Sequence, residues 1–148
     1  MSFPNPWKSY NKVATQTASP GQLVLMLYDG AIRFLERSLG GFSKDDPAEY
    51  NSTINNNVLR ALDIINELNS SLNMEAGGEV AANLRQLYVY FDRRLTESNV
   101  HKKQDGIKEV ISRLTVLRDA WATMLSRQSC SQSQLDPAAS AVLVAVGA

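Results

Sequence analysis

Residues 46–72 read DPAEYNSTINNNVLRALDIINELNSSL, and this stretch decides the fold. Pro47 suits the first position of a helix, where its missing N–H costs nothing, with Asp46 before it as cap and Glu49 at the third position. Tyr50, Ile54, Val58, Leu62, Ile65, Leu68 and Leu72 then recur at spacings of three and four. That period lines one face of an α-helix. A strand would need apolar residues at every second position, and no segment of the chain sustains that alternation.

The same signature stands upstream at Ser19-Pro20-Gly21-Gln22, where Ser19 can cap and Gln22 completes a capping box. It opens a helix through LVLMLYDGAIRFLERSL, and Gly40-Gly41 is expected to end it by taking positive φ. Downstream, after Asn73 and Gly77-Gly78, the residues Val80, Leu84, Leu87, Phe91 and Leu95 form a third stripe closing near Asn99. Asp105 is the expected cap of a fourth helix, where Ile107, Val110, Ile111, Leu114, Leu117, Trp121, Met124 and Leu125 step by three and four to an end near Gln128. Short connections make sequential helices neighbours, so the expected fold is all-α: an antiparallel up-and-down four-helix bundle over residues 19–128. An N-terminal arm, 1–18, carries Phe3, Trp7, Tyr10 and Val13 as groups to bury. Residues 129–148 form a flexible C-terminal tail, a Ser/Gln linker followed by the apolar AASAVLVAVGA.

Composition narrows the function. The 148 residues, 44% of them hydrophobic and 20% charged, suit one globular domain. Fifteen Lys and Arg balance fifteen Asp and Glu, and no basic cluster exceeds Arg93-Arg94 or Lys102-Lys103, so no nucleic-acid partner is expected. One cysteine, Cys130, cannot form an intramolecular disulfide and favours the cytoplasm. With the single His101 it cannot build a zinc site, and no Glu-x-x-His spacing offers a bundle metal centre. The expectation is no catalytic residue, no metal and no cofactor. No run approaches about 18 apolar residues and no secretion signal opens the chain, so no stable membrane insertion is expected.

Two features ask for partners. Asp29 interrupts an almost wholly apolar run, where an unpaired carboxylate is costly, and is expected to form an ion pair with Arg93 or Arg94. The first helix is apolar on every side from Leu23 to Tyr28, and Leu59, Ile64, Val89 and Tyr90 lie off the main stripes. A thick core could absorb these groups. Otherwise the arm, the tail or a partner chain must cover them.

Several segments together resemble one family. Asn5-Pro6 with Trp7 and Tyr10, Thr17 to Leu23, Met26 to Ile32, Ala61 to Leu68, Gly77 to Leu84, Leu87 to Tyr90, Arg93 to Leu95 and Leu117 to Trp121 are similar, in order and spacing, to the flagellin-specific export chaperones called FliS. The resemblance implies a non-catalytic bundle that binds the disordered C-terminal region of flagellin in the cytosol, prevents premature polymerisation, and delivers it to an export-gate component of the flagellar type III secretion system. It places flagellin contacts at Tyr10, Ile54, Leu62, Ile65 and Tyr88, and a gating role in the arm at Trp7, Tyr10 and Val13. The alternative is a bundle that forms a homodimer or larger oligomer through its surplus apolar surface.

Overall fold

The computed structural model describes residues 19–130, with side chains through Gln128; Trp7, Tyr10 and Val13 of the arm, and the tail, lie outside the described residues. Four helices follow one another: α1 Pro20–Gly41, α2 Pro47–Ser70, α3 Met74–His101 and α4 Gln104–Cys130. Each packs on its neighbours in sequence, and α4 returns to α1, closing an all-α up-and-down bundle. No strand occurs among the described residues.

The capping box of α1 forms as its sequence requires: Gln22 N–H donates to Ser19 Oγ and Ser19 N–H to Gln22 Oε1, both at 3.2 Å. Other boundaries depart from expectation. Asp46 has N-cap backbone geometry but makes no side-chain cap bond. Asn73 caps α3, its Oδ1 accepting from Ala76 N–H at 2.9 Å, so that helix starts six residues before Val80. Its first turn then breaks at Gly78 (φ 54°, ψ −129°), a conformation that glycine adopts without strain. Asp105 lies inside the first turn of α4 rather than ahead of it, and α4 continues past Gln128 to Cys130.

Gly40 and Gly41 do not adopt positive φ; Gly78 is the only described glycine that does. Gly41 is needed for space instead. A Cβ there would stand 2.9 Å from Ile54 Cγ1 and 3.1 Å from the Ile54 backbone nitrogen, so its absence lets α1 and α2 close on each other. Gly30 acts likewise, 3.3 Å from Ile64 Cδ1. Apolar side chains from all four helices fill the interior, including Leu35, Ile54, Val58, Ile65, Phe91, Leu95, Ile107 and Leu114.

The core pattern repeats. Val24, Tyr28, Ala31, Leu35 and Ser38 of α1 are matched sixty residues on by Leu84, Tyr88, Phe91, Leu95 and Ser98 of α3, and residues 31–40 and 91–100 share one succession of buried, half-buried and exposed positions. Tyr28 and Tyr88 meet in the interior, hydroxyl to hydroxyl at 2.5 Å. The repeat fails where size matters: Gly30 and Ala31 of α1 become Tyr90 and Phe91 in α3. Interaxial distance follows the bulk of the side chains at the contact. The packing of α1 on α2 is the most extensive of the bundle and that of α3 on α4 the least.

Candidate functional site

Each expected site residue on the helices has a definite place. Ile54, Ile65 and Tyr88 are buried and Leu62 is 9% exposed, so the four expected flagellin contacts belong to the core. The reason is simple. A stripe with period 3.6 is the face a helix turns to its neighbours, so residues on the stripe are covered and those off it are left outside. Among the off-stripe residues, Leu59 (47%) and Val89 (56%) are exposed, Tyr90 is half-buried, and Ile64 is buried against Gly30.

Two hydrogen bonds set the register of α2 against α3: Arg85 Nε donates to Asn69 Oδ1 at 3.1 Å, and Asn99 Nδ2 to Asn55 Oδ1 at 2.9 Å. In that antiparallel register Leu59, Val89 and Val100 lie along the outer side of one seam, Val89 and Val100 on one face of α3 three turns apart. Asparagine and arginine side chains interrupt the row. The exposed surface is thus apolar points on a polar ground.

The ion-pair expectation for Asp29 is corrected in its partner. Arg118 of α4 donates to it through Nε at 2.8 Å and reaches Asp119 through Nη1 at 3.2 Å. Asp29 points toward α4, whereas Arg93 and Arg94 lie on the diagonal helix. Their own contacts are elsewhere: Arg93 stacks on the Tyr90 ring, and Arg94 Nε donates to Glu109 Oε1 at 3.2 Å. Hydrogen bonding to Asp29 raises the Arg118 pKa.

Glu109 is the hub of the α3–α4 link. It accepts from the Tyr90 hydroxyl at 2.5 Å, from Arg94, and from Arg113 one turn along α4 at 3.2 Å. The Tyr90 hydrogen bond comes first in holding its carboxyl below the ordinary glutamate range, and the same bond raises the Tyr90 phenol. Arg93 and Arg113 both stand 5.6 Å from the centre of the Tyr90 ring. Deeper in, burial raises the phenols of Tyr28 and Tyr88.

At the end of the bundle where the chain enters and leaves, the Trp121 indole N–H donates to Gly21 O at 2.7 Å. A Cβ at Gly21 would stand 2.5 Å from Leu125 Cδ2. The first turn of α1 is thereby tied to the last turns of α4.

Among the described residues no cluster of three His, Cys, Asp or Glu side chains is placed to hold a metal, and no helix is long and apolar enough to cross a membrane. The polar side chains that do converge join one helix to another. Their arrangement defines an all-α bundle whose outer seams are its distinctive surface. The model of the family described as flagellar protein FliS matches residues 3–128. The chain is 35% identical over 121 residues to the flagellar secretion chaperone FliS of Bacillus subtilis, covering 82% of this chain and 86% of that one. It is 34% identical over 132 residues to the chaperone of the same name from Salmonella typhimurium, covering 86% and 95%. With that of Escherichia coli it shares 33% identity over 120 residues, 80% and 85% of the two chains. The chain belongs to the FliS family of flagellar secretion chaperones.

Proposed function

We propose that this protein is a cytosolic export chaperone that binds the disordered C-terminal region of flagellin, prevents premature filament polymerisation, and delivers its client to an export-gate component of the flagellar type III apparatus. Membership of a family whose members are named secretion chaperones carries this reading. The row Leu59, Val89 and Val100 supports it, because a folded monomer gains nothing from leaving such groups in water. A disordered segment folding onto the bundle would bury them. The arm residues Trp7, Tyr10 and Val13 act as a gate over the apolar surface, and Ile54, Ile65 and Tyr88 support that surface from inside. The protein performs no catalysis in this role.

Calorimetric titration of the full chain with a peptide of the last 40 or so residues of the cognate flagellin tests the reading; coupled folding onto an apolar surface gives a clearly negative heat-capacity change. Absence of binding at tens of micromolar, together with concentration-dependent light scattering by the chaperone alone, would replace it with a self-associating bundle that has no client.

A further inference from the structure

Two of the bundle's outer seams carry the same arrangement of one aromatic ring and two arginines. On α3–α4, where Ser98 lies against Gly106 and Arg94 bonds Glu109, the register sets Arg113 level with Tyr90. Arg93, three residues on from Tyr90, and Arg113, across the seam, both hold their guanidinium carbons 5.6 Å from the centre of the Tyr90 ring. On α1–α2, where Gly41 lies against Ile54 and Gly30 against Ile64, the register sets Arg60 level with Phe34. Arg37, three residues on from Phe34, and Arg60, across the seam, stand 5.6 and 5.7 Å from the centre of the Phe34 ring. Guanidinium groups stack on aromatic faces, so each ring gathers two positive charges.

The seams differ in what answers that charge. On α3–α4, Glu109 stands four residues before Arg113 and accepts from Arg113 and Arg94, each at 3.2 Å, and from the Tyr90 hydroxyl. On α1–α2 the position four residues before Arg60 is Asn56, and Phe34 has no hydroxyl. Neither Arg37 nor Arg60 forms an ion pair with any described residue. Both arginines are exposed, and Phe34 between them is half-buried. Two like charges brought to one ring without a counter-charge repel each other, and an anion placed between them offsets that repulsion. Stacking also fixes the guanidinium forks in advance, which lowers the ordering cost of binding.

We propose that Arg37, Phe34 and Arg60 form a docking site for a carboxylate on a peptide segment of a partner protein, the counterpart of Glu109 in the α3–α4 seam. The molecule's own filled seam argues for a carboxylate as the occupant. Glu36 and Asp63, exposed on the same two helices, argue against a nucleic-acid backbone, whose evenly spaced phosphates need an unbroken basic surface. The site lies on the side of α2 that faces α1, whereas the row of Leu59, Val89 and Val100 lies along the α2–α3 seam. It therefore serves a contact additional to the proposed client surface.

The test titrates the full chain with the blocked tripeptide Leu-Glu-Leu and follows the arginine Nε–H signals by NMR. The expected result is a saturating shift at Arg37 and Arg60, several-fold larger than at Arg93 and Arg113 of the filled seam. Blocked Leu-Gln-Leu should leave all four signals in place. Asn56→Glu, at an exposed position, puts a carboxylate one turn before Arg60 and should weaken tripeptide binding several-fold, as should Arg37→Gln. The proposal is overturned if no signal saturates, if the shifts are equal at all four arginines, if the glutamine peptide binds as well, or if Asn56→Glu keeps full affinity. It is equally overturned if inorganic phosphate saturates the same signals at a lower concentration, which would make this a site for phosphorylated ligands. None of these measurements uses flagellin, so a failure here leaves the chaperone reading untouched, and a failure of flagellin binding leaves this site untouched.

Discussion

Tyr28→Phe and Tyr88→Phe, made singly and together, probe the buried polar contact at the centre of the bundle. The two hydroxyls meet at 2.5 Å, the residues are 3% and 1% exposed, and neither hydroxyl has another hydrogen-bond partner among the described residues. One hydroxyl donates and the other accepts. Removing either oxygen strands the other in an apolar interior, at a cost of roughly 1–3 kcal/mol. Removing both leaves two phenyl rings of nearly the same shape with no group unsatisfied, and the double variant should fall within about 1 kcal/mol of the wild type. A double-mutant cycle, the two single losses less the double one, should therefore return a coupling of roughly 1–6 kcal/mol in magnitude, well above the few tenths found for independent sites. Urea unfolding at neutral pH measures it, with an unchanged slope confirming that the unfolded reference is the same. Strictly additive losses would refute the reasoning, since they would mean that each hydroxyl finds its own partner and the pair is not a closed unit.

Gly40→Ala and Gly41→Ala should act in opposite directions although the residues are adjacent. No atom beyond the helix itself lies within 4 Å of the added methyl at Gly40, so helix propensity should stabilise that variant by up to about 1 kcal/mol, whereas the clash with Ile54 at Gly41 should cost about 1–3 kcal/mol; thermal unfolding compares them directly. Glu109 contributes stability that is fully present above the ordinary glutamate pKa, about 4.3, and is lost as pH falls through its lower folded value. Glu109→Gln should flatten the acid limb of the stability curve between about pH 5 and pH 3 and lower stability by a constant amount above that range, where the carboxylate is ionised in both states; an unaltered acid limb would assign the pH dependence elsewhere.

Much of the fold was legible in the chain because each helix announces itself locally. The Ser19 capping box, Pro20 and Pro47 at helix starts, and apolar residues every three or four positions are short-range signals that need no knowledge of the rest of the molecule. Gly41 and Asp46 show the limit of such reading. A glycine that ends a helix and one that admits a neighbouring helix look alike in sequence, and an aspartate before a proline offers a cap without being obliged to make it. The candidate surface was less legible still. Ile54, Leu62, Ile65 and Tyr88 have the spacing of an apolar stripe, and hydrophobic burial is non-directional, so spacing reveals that a face is covered without revealing by what. Leu59 and Val89, which lie off the stripes in the sequence, are indeed exposed, whereas Ile64, equally off the stripe, is buried.

The sequence by itself determined the helices, their order and, through several matched motifs, the family. Only the tertiary structure decided which side chains meet: Asp29 with Arg118 rather than Arg93 or Arg94, Tyr28 with Tyr88 across sixty residues, and Glu109 with three partners at once. Helix formation follows from interactions within a few residues, whereas the choice among partners depends on how far each pair of helices can approach. In this bundle the missing side chains at Gly30 and Gly41 let Ile64 and Ile54 of α2 come up against α1.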